Sequence, residues 1–166
     1  MEPVIIVKYG SAGYFSAKKE VHNVLAKLGN QKADEELLIP GFITIKTKLD
    51  PHEVIEDARE LFLGNPDSFS ATTEWIPVTA WCVPGEIAKT IKEEVADLIM
   101  PDEEYALEIL KYQSTISDDA IINKVVPLIK ARPGYNPYKI IRIQIADNKV
   151  AISLLKPNDV LHIWER

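Results

Sequence analysis

The sequence predicts an α+β protein built from two small units, the second of which ends in a β-hairpin. Three observations lead to this prediction. Strand-like and helix-like segments alternate along the 166 residues. Asp50 followed by Pro51 is a strong helix start, because Asp caps helices and Pro suits the first helical position. Residues 139–155 alternate apolar and polar side chains around a tight turn, which is typical of a hairpin with one buried face.

The first half shows the order strand, helix, strand, helix, strand. Residues 4–8 form an apolar strand pattern, and Ser16 is predicted to cap the helix that follows. Residues 42–48 alternate as the second strand, and the helix from Asp50 lies between them and a β-rich stretch at residues 72–83. This order resembles a ferredoxin-like layer of sheet and helices, and it predicts a first domain over residues 1–83.

The second half predicts helix, strand, helix, strand, strand. An amphipathic helix covers residues 86–100, and residues 105–113 alternate as a strand. Ser117 is predicted to cap the next helix, which Pro127 should bend or shorten. The hairpin then follows, with Asp147 and Asn148 in its turn and an apolar face made by Ile141, Ile143, Ile145, Val150, Ile152 and Leu154.

Charge is unevenly distributed along the chain. The net charge of −6 argues against RNA when taken alone, since phosphate contacts supply much of RNA affinity. However, residues 86–108 carry two lysines and eight acidic residues, whereas residues 111–166 carry nine basic and five acidic residues. This segregation is compatible either with a solvated surface or with a partner for the basic segment.

Composition narrows the class of protein. The single cysteine, Cys82, excludes an internal disulfide and indicates a reducing, cytoplasmic setting. No apolar run is long enough for a membrane helix. The three histidines are scattered without a second ligand at metal-binding spacing, so neither a metal nor another cofactor is expected. The acidic group Asp102, Glu103 and Glu104 is predicted to be a solvated loop.

The second half resembles a THUMP domain over residues 84–166. The order of its elements and the Asn136-Pro137 opening of the hairpin carry the resemblance. The first half looks like the ferredoxin-like domain that often accompanies THUMP domains. Residues 76–81, Ile-Pro-Val-Thr-Ala-Trp, are similar to the branch of adaptors for tRNA cytidine acetylation.

This resemblance implies a non-catalytic RNA-binding adaptor. THUMP domains usually accompany a catalytic domain, and this sequence ends at Arg166, directly after the hairpin. The expected role is therefore to present tRNA, through its acceptor stem and 3′ end, to a separate modification enzyme, in this branch an acetyltransferase. One departure lowers the expected affinity, because the strand after the first THUMP helix commonly ends in adjacent basic residues, and this chain has Lys111, Tyr112 and Gln113 there.

The candidate RNA contacts lie late in the chain. A turn-rich loop mixes aromatic and basic side chains that can stack on unpaired bases and meet phosphates. The alternative is a turn whose tyrosines fold back onto the core. The candidate residues are Lys111, Gln113, Lys130, Arg132, Tyr135, Asn136, Tyr138, Lys139 and Arg142.

Two other functions remain open at this stage. A protein-interaction scaffold with little RNA affinity would use the acidic helix at residues 86–100 to dock a basic partner. A small enzyme would need a pocket with convergent polar groups, which the sequence does not indicate.

Overall fold

The computed structural model describes residues 1–30 and 32–163. The chain divides into two compact units, one formed by Met1–Pro77 together with the segment from Asn158, the other by Val78–Pro157. The predicted boundaries at residues 83 and 84 therefore differ from these units at residues 78–83 and after residue 157. Residues 164–166, which the prediction assigned to the second domain, lie outside the described residues.

The first unit has the βαββαβ order of a ferredoxin-like fold. Its antiparallel sheet runs β10-β4-β1-β3-β2, so a short strand from the far end of the chain pairs with β4 at the edge. The sequence patterns did not predict β2, whereas the alternation of His162 with apolar neighbours predicted a final strand, which is β10. The elements are β1 (Ile5–Tyr9), α1 (Tyr14–Lys27), β2 (Asp34–Ile39), β3 (Phe42–Lys46), α2 (Pro51–Gly64), β4 (Thr72–Pro77) and β10 (Leu161–His162).

The two helices of this unit begin differently. Asp50 caps α2 as predicted, since its Oδ1 accepts a hydrogen bond from the backbone N–H of His52 at 2.8 Å. The prediction that Ser16 caps α1 is wrong. The capping residue is Gly13, with φ 87°, a conformation that suits glycine and lets the helix begin at Tyr14.

One buried carboxylate connects α1 to the start of β4. Glu20 of α1 is 8% exposed, and it accepts hydrogen bonds from the backbone N–H groups of Ser70 at 2.6 Å, Ala71 at 2.8 Å and Thr72 at 2.8 Å. Charge-assisted bonds of this kind are stronger than neutral ones, and they satisfy backbone donors that would otherwise be buried without partners.

The second unit has a mixed sheet in the order β5-β9-β8-β6-β7. Strand β6 pairs in parallel with both β7 and β8, whereas β9 is antiparallel to both β8 and β5. The elements are β5 (Ala80–Cys82), α3 (Ile87–Glu94), β6 (Glu104–Tyr112), α4 (Asp118–Val125), β7 (Arg132–Pro133), β8 (Lys139–Ala146) and β9 (Lys149–Leu155).

The predicted hairpin is confirmed, with Asp147 in the left-handed region at φ 57° in its turn. Ile141, Ile143 and Ile145 are fully buried in the core shared with α3 and α4. The expectation of a single buried face is wrong, because Gln144 on the opposite face is only 4% exposed. Alternation along a strand reports polarity, and a neutral polar side chain can still be buried.

The helix predictions in this unit hold in outline. Ser117 precedes α4 at the cap position but makes no side-chain capping bond. Pro127 lies in a 3₁₀ turn, Val126–Leu128, directly after α4. The proline therefore shortens the helix, as its missing N–H predicts.

Glu20→Gln is expected to lower the free energy of unfolding by about 2 kcal/mol, because the neutral amide replaces charge-assisted bonds and one of its polar atoms is a donor facing donors. Equilibrium urea denaturation measures this change. Glu60→Gln, on the exposed face of α2, is the control and should leave stability nearly unchanged. Equal midpoints for the two variants would contradict this role for Glu20.

Candidate nucleic-acid interface

The candidate loop crosses the beginning of β6. The chain first runs beside β6 as β7, where Pro133 lies opposite Tyr105. It then passes to the other side of β6, where Lys139 begins β8 opposite the same Tyr105. Residues 134–138, which we call the crossover loop, therefore connect two strands that flank one buried residue, Tyr105 being 1% exposed.

Glycine at position 134 is required by close packing at the start of this loop. Its N–H donates to the carbonyl oxygen of Tyr105 at 3.1 Å. A Cβ added at Gly134 would lie 2.9 Å from the Cβ of Glu104 and closer still to its carboxylate. The loop is thus held against β6 at one end by backbone contacts.

Lys139 holds the other end of the loop. Its Nζ donates to the carbonyl oxygen of Leu98 at 2.6 Å and to Oε1 of Glu103 at 2.9 Å. The same Glu103 oxygen accepts the backbone N–H of Met100 at 2.8 Å. Both hydrogen bonds lower the pKa of Glu103, and the bond from Met100 has the larger effect. Glu103 therefore anchors Lys139. The prediction that Asp102, Glu103 and Glu104 form a solvated loop did not include this role.

The aromatic residues of the crossover loop face solvent. Tyr135 is fully exposed and Tyr138 is 55% exposed. Asn136 between them is exposed as well. The alternative in which both tyrosines fold back onto the core is therefore wrong, because both side chains are exposed.

Two predicted cations remain available beside the loop. Lys130 and Arg132 are exposed. Among the residues that the structure describes, neither forms an ion pair within 4.0 Å. An acidic residue, Glu104, lies opposite Arg132 in the strand register.

The other predicted cations are engaged within the unit. Arg142 donates from Nε to Glu108 at 2.9 Å, across the parallel pair of β8 and β6 that places these residues side by side. Lys111 binds Asp118 at 2.9 Å and the carbonyl oxygen of Ile116 at 3.0 Å. Both are thus locally neutralised. The candidate site therefore keeps the crossover loop together with Lys130 and Arg132, which precede it.

Gln113 lies apart from this group. It follows β6 with φ 56° and is exposed. Since β6 pairs with β7 at its first residues, Gln113 lies at the opposite end of that strand from the crossover loop. The structure does not bring Gln113 and Arg132 together.

No group of three or more His, Cys, Asp or Glu side chains among the described residues has the geometry to hold a metal ion. None of the helices formed by those residues has the length and apolar character needed to cross a membrane.

Solved structures with the same fold include three instructive cases. PH1313 from Pyrococcus horikoshii matches with a TM-score of 0.64 at 14% identity, covering 98% of this chain and 56% of that one. A 4-thiouridine synthetase solved with RNA and ATP matches with a TM-score of 0.60 at 11% identity, covering 99% and 42%. TrmN from Thermus thermophilus matches with a TM-score of 0.61 at 9% identity, covering 91% and 45%.

These matches, together with the order of elements, establish a THUMP-like α+β fold. The chain spans about half the length of the proteins it resembles, from 42% to 56% in these three cases. No family model matches the sequence, and no curated protein matches it.

The lowered pKa of Glu103 predicts a pH-dependent contribution of the loop anchor to stability. A carboxyl group whose pKa is lowered by folding stabilises the protein at pH values above its ordinary pKa of 4.5. This contribution to stability disappears as the pH falls through the lowered pKa. The parent protein should therefore be more stable than Glu103→Gln at pH 7, and the difference should shrink below pH 4.5. Urea denaturation across pH measures it; a difference that grew in acid would contradict the anchor.

Proposed function

We propose that this chain is a non-catalytic adaptor that binds tRNA and presents it to a separate modification enzyme. One observation carries the RNA-binding part: Tyr135 is fully exposed on a crossover loop fixed at both ends, and the loop follows Lys130 and Arg132, which form no ion pair among the described residues. Aromatic rings with nearby cations are the usual means of holding unpaired bases and their phosphates.

The firm attachment of the loop supports this function. Lys139 contacts Leu98 and Glu103 inside the unit, so we assign it to holding the loop rather than to phosphate. A loop already held in place loses less conformational entropy when a base stacks on it. The neighbour solved with RNA has the same fold, which is consistent with an RNA ligand for this chain.

The finer parts of the proposal depend on the resemblance of residues 76–81 to the cytidine-acetylation branch. On that basis the partner is an acetyltransferase acting on tRNA cytidine, and the RNA is recognised by its acceptor stem and 3′ end. Residues 72–77 form β4 and residues 80–82 form β5, so the chain passes from the first unit to the second within this resembling segment.

A specific observation favours a second candidate, a protein-interaction scaffold. Acidic residues on and around α3 lie near exposed apolar side chains, since Leu98 is 51% exposed and Met100 is 49% exposed. Such a surface suits a partner with basic and apolar groups. This scaffold would need no RNA affinity, which is the property that separates the two candidates.

Lys130→Gln/Arg132→Gln is expected to weaken binding of unfractionated tRNA and to reduce the log–log salt slope by about 1.5, the value for two lost phosphate contacts. Titrations by fluorescence anisotropy at several salt concentrations measure the slope. Lys89→Gln/Lys92→Gln removes the same charge from exposed positions on α3 and should leave the slope unchanged. Absence of tRNA binding by the parent protein at low salt would overturn RNA binding and favour the scaffold.

Tyr135→Ala is expected to weaken tRNA binding about tenfold with no change of salt slope, since stacking contributes about 1–3 kcal/mol per base and involves no counterion release. Tyr135→Phe keeps the ring and should bind like the parent. The same titrations distinguish the variants. Equal affinity of the alanine variant and the parent would show that Tyr135 does not stack on RNA.

A further inference from the structure

The two helices of the first unit expose opposite charges. On α1 the exposed charged groups are Lys18, Lys19 and Lys27, while its acid, Glu20, is buried and accepts hydrogen bonds from backbone N–H groups. The helix α2 instead exposes four acidic side chains, and its one basic residue is occupied by Glu56 and by backbone carbonyls of the β10 segment. The four acidic residues of α2 are Glu53, Glu56, Asp57 and Glu60, and the basic residue is Arg59.

A large aromatic side chain is exposed on the basic helix. Phe15, in the first turn of α1, is 85% exposed. Lys18 and Lys19 follow it at three and four residues, so the three side chains share one face. Lys18 lies over the Tyr14 ring, 5.9 Å from its centroid. Lys19 has no ion pair among the described residues.

A polar cleft runs along the neighbouring side of α1. Ser16, Lys19, Asn23 and Lys27 line it together with hydroxyl groups of the segment before β4. Lys27 donates to the Ser68 hydroxyl at 3.1 Å. Its lining therefore offers ammonium, hydroxyl and amide donors, which are the groups that contact phosphate and sugar in nucleic-acid complexes.

The acidic groups that face this surface are few. Glu35 lies against His22, with 3.1 Å between its Oε1 and Nδ1 of the imidazole, and Asp67 lines the cleft. Glu20 also lines the cleft, but its oxygens accept backbone N–H groups. Lys18 and Lys19 are thus left as cations exposed to solvent beside Phe15.

We propose that this face of α1 is a second RNA contact, in which Phe15 stacks on an unpaired base and Lys18 and Lys19 meet the phosphate backbone. The proposal rests on the proposed function. Charge complementarity supports a nucleic-acid occupant, because the acidic face of α2 repels a polyanion and the basic face of α1 attracts it. The Phe15 ring contacts the Tyr14 ring, with 5.3 Å between the two centroids, and Phe15 shares its helix face with Lys18 and Lys19, whereas the core of a protein-binding surface is depleted of charged residues.

Lys18→Gln/Lys19→Gln in the intact chain tests the phosphate contacts. The salt slope for unfractionated tRNA should fall by about 1.5 relative to the parent. Lys32→Gln/Lys48→Gln removes two exposed lysines of the same unit outside α1 and should keep the parent slope. Phe15→Ala should weaken binding about tenfold at an unchanged slope, whereas Phe15→Tyr should bind like the parent.

The outcomes separate this inference from the proposed function. Parent-like slope and affinity in all α1 variants, together with a reduced slope in Lys130→Gln/Arg132→Gln, would overturn the α1 contact alone and leave that face to a protein partner. Failure of the parent to bind tRNA would overturn both. A variant with altered circular dichroism or thermal midpoint is replaced by Lys19→Gln alone, which removes one exposed charge and predicts a slope change of about 0.8.

Discussion

The parallel pairing of β6 with strands on both of its sides governs the candidate site. Because β7 and β8 both run parallel to β6 and flank its first residues, the chain must cross that end of the strand within residues 134–138. The crossing lies over a strand end rather than over a sheet face, so its side chains find no apolar layer to join. The exposure of Tyr135 follows from the order of the strands, not from an intrinsic preference of tyrosine.

The same topology decides which cations are available. Residues that become strand neighbours pair with acids on the adjacent strand, as Arg142 does with Glu108. Lys139, at the point where β8 begins, is held by Glu103. Lys130 and Arg132 precede the crossing and form no ion pair among the described residues, although Glu104 lies opposite Arg132 in the register. The exposed cations of the second unit therefore include Lys130 and Arg132 before the crossing, together with Lys124 on α4 and Lys149 on β9.

Local signals in the sequence predicted much of the fold. The Asp50-Pro51 helix start and the alternating hairpin are local patterns, and both are present. Apolar alternation around His162 predicted a final strand, but no local pattern indicates that this strand, β10, pairs with β4 from a distant part of the chain. The hydroxyl side chain of Ser16 predicts a helix cap at that residue. The helix instead begins after Gly13, which takes a positive φ. The ion pairs of Arg142 and Lys139 depend on strand order and register, which periodicity does not contain.

Net charge is a poor guide to RNA affinity in a molecule organised this way. At physiological ionic strength the Debye length is about 8 Å, so a phosphate responds chiefly to the charges nearest to it. Exposed acids are concentrated on α2 and around α3, while α1 exposes lysines near Phe15, and two exposed cations, Lys130 and Arg132, precede the crossover loop. In such an arrangement the acidic residues on α2 and around α3 repel a polyanion. The cations on α1 and those before the crossover loop attract it. Under the proposed function, this acidity limits where RNA binds and does not exclude RNA binding.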